Sequence, residues 1–285
     1  MLGAISGDVI GSIYEFHNTK EYEFPLFTDK SSYTDDSILT AAVAYWLLND
    51  KELSHKGLVD ILVAFGESYP CPMGGYGSGF QHWLFVPMLL RRYENKEGNI
   101  LYESDEGRCP YNSFGNGSAM RVSPIGWAFD SLEQTENIAK ISAEVTHNHP
   151  EGIKGAQATA AAIYLARTGK SKEEIRDYIE KKYGYDLHKT YEYWHPIYKW
   201  DGSCQGTVPQ AIICALDSTS FVDAIRKAVS LGGDSDTLAC ITGGIAEAIY
   251  GEVPEYISSR VLSRLQFGIK EVYKEFKERY LNLKK

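Results

Sequence analysis

The chain has 285 residues, 44% apolar and 24% charged, with a formal net charge of −9. That length supports a substantial core in one large or two small domains, and the negative balance excludes a broad basic face for non-specific nucleic-acid binding. No stretch reaches 18 apolar residues and the start, MLGAISGDVIGSIYEF, lacks a basic leader, so the expectation is a soluble, cytoplasmic protein without a membrane span.

Near the start, Gly7-Asp8-Val9-Ile10-Gly11-Ser12-Ile13-Tyr14-Glu15 carries a Gly-x-x-x-Gly pair with an acid towards each end. It reads as a helix packed closely through Gly7 and Gly11. Glu15 then points either to solvent or, as a third acidic element, to a metal. Thr34-Asp35-Asp36 follows, and Asp234-Ser235-Asp236-Thr237 repeats the theme about 200 residues later. Each cluster opens an apolar helical run, so a Thr or Asp N-cap with acids in the first turn is the ordinary explanation. Four deep carboxylates without counter-charge are costly, however, and two divalent cations would balance them. Oxygen-only ligands suit Mg²⁺ or Mn²⁺ rather than zinc.

Helical signals dominate the rest. Apolar spacing predicts helices over residues 37–49, 56–67, 81–93, 132–145, 150–167, 172–182, 208–215, 221–230, 236–250 and 265–281. Small residues inside several of them, such as Gly155, Ala160, Gly243 and Gly244, allow close helix contacts. Strand signals are thin: residues 191–200 are aromatic enough, but Pro196 interrupts them. No βαβ alternation, linker or repeat appears, so one helical domain over 1–285 is expected. The five cysteines, odd in number and without C-x-x-C, read as buried apolar residues in a reducing compartment.

Between these helices lie loops rich in Gly and polar residues. Gly74-Gly75-Tyr76-Gly77-Ser78-Gly79 is a flexible loop with one aromatic. Asn112-Ser113-Phe114-Gly115-Asn116-Gly117 precedes a helix-like run ending at Arg121, and its backbone N–H groups either cradle a phosphate or form a turn and cap. Thr146-His147-Asn148-His149-Pro150 leads into a helix, with His147 read as a pocket residue and His149 as structural. A P-loop fails because Tyr164 stands where its first Gly should be. The prenyl-synthase D-D-x-x-D fails because Leu39 replaces the last acid.

Taken together, GDVIGSIYEF, YTDDS, SFGNGSAMR, THNHPEGIKGAQATA and LGGDSDTLACITGGIAEAIYG resemble the ADP-ribosylglycohydrolase family, in the expected order from about Leu2 to Gly251. The resemblance implies a compact orthogonal all-α bundle with a centre of two Mg²⁺, or Mn²⁺. By matching position it implies Thr34, Asp35, Asp36, Asp234, Asp236 and Thr237 as ligands and Glu15 as the proton-transfer group. It places Asn112, Ser113, Phe114, Gly115, Asn116 and Gly117 around the diphosphate and distal ribose, and Tyr76, Gly77 and His147 elsewhere in the pocket. Phe114 stands where some relatives carry Tyr, so a hydroxyl contact is lost.

The implied reaction is hydrolysis of the bond between ADP-ribose and an acceptor, which is a protein, a nucleic acid or a small molecule, with ADP-ribose as product. Two alternatives stay open. One is a hydrolase of free ADP-ribose derivatives or another nucleotide sugar; the other is a non-catalytic ADP-ribose binder.

Overall fold

The computed structural model describes residues 1–89, 92–94, 100–102 and 108–282. Its helices in chain order are α1 (Leu2–Gly11), α2 (Asp35–Asn49), α3 (His55–Ser68), α4 (Ser78–Leu89), α5 (Gly117–Met120), α6 (Ser123–Ala128), α7 (Leu132–Glu144) and α8 (Pro150–Arg167). There follow α9 (Lys172–Tyr183), α10 (Tyr191–Trp194), α11 (Cys204–Leu216), α12 (Phe221–Ser230), α13 (Ser235–Tyr250), α14 (Glu255–Arg264) and α15 (Phe267–Phe276). A π-helical turn, Lys277–Leu281, ends the described chain. The all-α expectation holds.

Helix α13 is the centre of the arrangement, and all its residues from Ser235 to Ala248 are buried. Helices α1, α8, α11 and α12 pack around it. The contact with α1 is the closest and follows from residue size. A Cβ on Gly7 would lie 1.9 Å from the Ala239 carbonyl oxygen, and one on Gly3 would lie 2.2 Å from the Gly243 oxygen. Such backbone-to-backbone approach is possible only where side chains are absent, so the predicted Gly7–Gly11 packing is realised and its partner is α13. Helix α8 owes its burial to its alanine run, from Ala158 through Ala162, which lets α6, α7 and α11 approach it. No helix among the described residues is long and apolar enough to cross a membrane.

Several boundaries differ from the sequence expectation. The helix expected over 81–93 ends at Leu89, because 92–94 is a strand, β1 (Arg92–Glu94), pairing antiparallel with β2 (Ile100–Tyr102). Residues 90 and 91 lie outside the described residues. Within 191–200, where the strand signal is thin, Tyr191–Trp194 form one helical turn, α10, and no strand forms. The helix expected over 208–215 begins earlier, at Cys204, because Ser203 caps it by accepting from Gly206 N–H. The span expected over 265–281 starts at Phe267 and changes to the π turn, and α14 before it was not anticipated. Cys204, Cys214 and Cys240 are buried as expected, but Cys71 and Cys109 are exposed.

Candidate active site

The close packing of α1 on α13 sets the site. A Cβ on Gly11 would fall 2.5 Å from Asp236 Cα, so the end of α1 abuts the beginning of α13. One turn earlier, the fully buried Asp8 reaches across to the start of α2. Its Oδ2 accepts from Thr34 N–H at 3.0 Å and Ser37 N–H at 3.0 Å, and its Oδ1 accepts from the Thr34 hydroxyl at 2.7 Å. The Ser37 hydroxyl also donates to Oδ2. An acid from one helix thereby holds the N-terminus of another. Burial pushes the Asp8 carboxyl up to about 6, against the hydrogen bonds from Ser37 and Thr34 that favour its charge. Thr34 caps α2 by accepting from Asp36 N–H at 3.3 Å.

The second cluster begins with a turn that needs glycine: Gly232 and Gly233 have φ of +71° and +77°, in the left-handed region. This turn delivers Asp234 to the N-cap position of α13, yet its side chain makes no capping bond. Its Oδ2 instead accepts from Asn116 Nδ2 at 2.7 Å. The two clusters meet where the Thr237 hydroxyl donates to Asp36 Oδ2 at 3.2 Å. Glu15, carried on the connection after α1, brings a carboxylate oxygen within 4.8 Å of oxygens from Asp234 and Asp236. Of its two possible directions, the half-buried Glu15 takes the one towards the acids.

The charge balance is one-sided. Burial and the neighbouring carboxylates push Asp35, Asp36 and Asp236 well above the usual carboxylate range. Glu15 is pushed up to about 7 by burial, then by Asp234 and Asp8. Among the described residues no Lys or Arg forms an ion pair with any of these acids. Asp36 Oδ1 and Asp236 Oδ1 are buried with no hydrogen-bond partner. Unpaired buried carboxylate oxygens are what a divalent cation satisfies, and it reverses the electrostatics that raise these groups. The all-oxygen donor set fits Mg²⁺ or Mn²⁺.

Above the acids opens a cavity of about 320 Å³. It is lined by Asp35, Asp36, Asp234, Asp236, Thr237 and Glu15, by the two glycine-rich loops (Gly74–Gly79, and Ser113 with Gly115–Gly117), and by Tyr111, Arg121, His147 and Trp200 among others. The 112–117 loop is anchored from behind, Asn116 N–H donating to Gly202 O at 2.8 Å and Cys204 N–H to Phe114 O at 2.8 Å. Gly117 has an ordinary φ, but a Cβ there would sit 3.2 Å from His147 Nε2, so glycine keeps this part of the cavity clear.

His147 is buried, and burial with the nearby Arg121 charge holds it well below the usual histidine range, hence neutral. Thr146 Oγ1 accepts from Arg121 Nη2 at 2.9 Å and lies 2.7 Å from His147 Nδ1. If the hydroxyl proton is to be used, it goes to Nδ1, and Nε2–H is left as a donor towards Gly117. The fully buried Arg121 also donates to Ser142 O at 2.7 Å near the C-terminus of α7, where the helix dipole favours a cation. Its Nε and Nη1 have no partner.

This geometry joins an acidic end to a glycine-rich loop in one cavity. The family model for ADP-ribosylglycohydrolases matches residues 1–284. The chain belongs to the ADP-ribosylglycohydrolase family. Mouse ADP-ribosylhydrolase ARH3 is 28% identical over 322 aligned residues, covering 90% of this chain and 84% of that protein. The human ARH3 is also 28% identical, with 90% and 86% covered. The ADP-ribosylarginine hydrolase Tri1 of Pseudomonas putida is 28% identical over 152 residues, 51% of this chain and 41% of that one. In fold, the chain is similar to a solved structure titled ADP-ribosylglycohydrolase-related protein complex, with a TM-score of 0.70 at 22% identity over 98% of this chain and 96% of that one.

Against the residue set that the family resemblance implies, the cavity gathers Glu15, Asp35, Asp36, Asp234, Asp236, Thr237, Tyr76, Gly77, Ser113, Gly115, Asn116, Gly117 and His147. Thr34 does not line it: the residue is fully buried beneath, between Asp8 and Asp36, with one hydroxyl lone pair left over. Asn112 is exposed and in the left-handed region at φ +55°, its N–H donating to Asn148 Oδ1. Phe114 is 50% exposed and packs edge-on against His149, which caps α8. Neither Asn112 nor Phe114 lines the cavity. Sequence reasoning assigned no role to Asp8, Tyr111, Arg121 or Trp200. Asp8 and Arg121 sit inside the quoted motifs, so a signal for them was present. Trp200 lay in a segment weighed only for its strand content.

Proposed function

We propose that this member of the family hydrolyses the glycosidic bond between ADP-ribose and an acceptor, with two Mg²⁺ or Mn²⁺ held by Asp35, Asp36, Asp234, Asp236, Thr237 and Thr34. One observation carries the reading: acids from two distant clusters and Glu15 converge in one cavity, none of them ion-paired with a Lys or Arg among the described residues, and Asp36 Oδ1 and Asp236 Oδ1 are buried and unpaired. The named activities of the ARH3 relatives and of Tri1 support the acceptor reaction.

Held by these residues, the metals would supply Lewis-acid stabilisation of the charge that develops at the ribose in an oxocarbenium-like transition state. The chain's own groups do the rest. Glu15 exchanges the proton at the scissile centre, either taking it from water or giving it to the leaving atom. The Gly117 N–H and the Nε2–H of His147 orient the diphosphate and distal ribose, while the N–H groups of Gly115 and Asn116 hold the loop itself through Ser113 Oγ and Gly202 O. Asn116, bonded to Asp234 and Thr207, ties that loop to the acidic end, so orientation and chemistry are set by one framework.

The test is a panel of ADP-ribosylated substrates (arginine-linked and serine-linked peptides, a modified nucleic acid and a small-molecule conjugate), each assayed with Mg²⁺ and again with excess chelator. ADP-ribose release from at least one, abolished by chelator, supports the reading. No release from any, with ADP-ribose binding intact, leaves a binder.

A further inference from the structure

Glu15 and Asp234 stand on separate elements, and their carboxylates approach each other although like charges repel. Glu15 belongs to the connection 12–34, which carries no helix or extended strand and exceeds the ~15 residues at which structureless connections become uncommon in compact proteins. Most of this connection is anchored well away from Glu15. Arg226 donates to Tyr22 O and Phe24 O, and Arg264 to Thr28 O and Ser31 O. Lys20 donates to Leu231 O, Tyr198 O and His195 O. None of these bonds reaches the Glu15 backbone.

Asn18 does. Its Nδ2 donates to Tyr14 O at 2.6 Å, Glu15 O at 2.9 Å and Gly233 O at 2.8 Å, while its Oδ1 accepts from Gly233 N–H at 2.6 Å. The exchange with Gly233 is a closed two-point pair, the pattern that two strands form through peptide groups, here supplied by a side-chain amide. Where a Gly233 Cβ would lie stand Tyr198 Cε1, Trp200 Cα and the Lys199 carbonyl, at 2.9, 3.2 and 3.3 Å. The left-handed turn that delivers Asp234 is therefore held by Asn18 and packed against the 199–200 backbone.

We propose that Asn18 is a positioning residue: by joining the Glu15 carbonyl to both backbone groups of Gly233, it sets the spacing of the Glu15 carboxylate from Asp234. The inference rests on the reading of the site given above. The position is solvent-exposed, so apolar burial does not account for an amide there. Only a group holding donor and acceptor in one plane makes this set of bonds; a carboxylate of the same shape presents acceptors alone to three carbonyl oxygens.

The experiment compares Asn18→Ala and Asn18→Asp in the full chain with Mg²⁺, alone and in a Glu15→Gln background. Both single variants are expected to lower kcat about tenfold or more, with KM and free ADP-ribose affinity within roughly threefold of wild type. In the Glu15→Gln background, Asn18→Ala is expected to change the residual rate less than about twofold, because a residue acting through Glu15 has nothing left to position. Peptides covering 12–20 and 230–235 should exchange backbone hydrogens faster in both variants. Wild-type kcat in Asn18→Asp overturns the proposal, since shape alone then suffices. Equal multiplicative losses with and without Glu15 overturn it too, since the effect does not pass through that group. Should the wild type release no ADP-ribose at all, the reading of the site's function falls, and hydrogen exchange decides Asn18 separately: unchanged exchange in both segments refutes it.

Discussion

The two acid clusters are near repeats in sequence and differ in what their caps do. At the start of α2, Thr34 accepts the Asp36 N–H and is itself gripped by Asp8. At the start of α13, Asp234 holds the equivalent N-cap position, makes no capping bond and turns to Asn116 and the cavity. The first cluster thus satisfies its helix end with its own hydroxyl and an acid borrowed from α1. The second forgoes side-chain capping and places its acid in the site. Capping and a place in the cavity are not rival explanations of such motifs; the same residue types divide the two tasks differently at two helix starts.

The sharpest way to break that comparison is to neutralise the uncapped side. Asp234→Asn and Asp236→Asn should abolish Mg²⁺-dependent ADP-ribose release while leaving far-ultraviolet circular dichroism helical, because neither side chain caps α13. Either variant turning over like wild type removes the second cluster from the mechanism. Glu15→Gln comes next, with an expected loss of about 10²–10⁴-fold in kcat and little change in ADP-ribose affinity. A loss in Mg²⁺ affinity equal to the loss in turnover would instead make Glu15 a ligand.

A smaller effect is expected at the loop end. Free ADP-ribose with Mg²⁺ should raise the melting temperature, corresponding to about 2.7 kcal/mol at 100 times the dissociation constant. Gly117→Val should shrink that shift, since its branched side chain enters the space beside His147 Nε2. An undiminished shift would take this loop out of binding. Smallest of all, Thr34→Ala should cost about 1 kcal/mol of stability as a lost N-cap, read by denaturant titration. Thr237→Ala removes no cap, only the 3.2 Å bond to Asp36 Oδ2, and should cost less than Thr34→Ala, which also loses the 2.7 Å bond to Asp8 Oδ1. Equal losses at the two threonines would erase the difference between the clusters.

Much of this was legible in the sequence because it is local. The acid clusters, the Gly7–Gly11 spacing and the 112–117 loop are contiguous, and apolar periodicity located α2, α8 and α13 within a residue or two. What escaped is set by distant partners. Asp8 gains its role from Thr34 and Ser37, 26 and 29 residues away. Trp200, 63% exposed, reaches the cavity only because the 199–202 backbone folds against Gly233 and Asn116. Residues 92–94, at the end of the helix expected over 81–93, form β1 and pair with β2, which helical periodicity does not register. Asn112 and Phe114 show the converse: a motif position carries over by sequence, while the backbone here turns both residues away from the cavity.

The central claim is that the converging acids are a divalent-cation centre on which the chemistry depends. Calorimetric titration of Mg²⁺ into chelator-treated protein, run beside Asp236→Asn, tests it most directly. The account predicts saturable binding of two Mg²⁺ per chain, weakened or lost in the variant, with ADP-ribose release appearing as the sites fill. Full release in excess chelator, or Mg²⁺ binding identical in the variant, would contradict it.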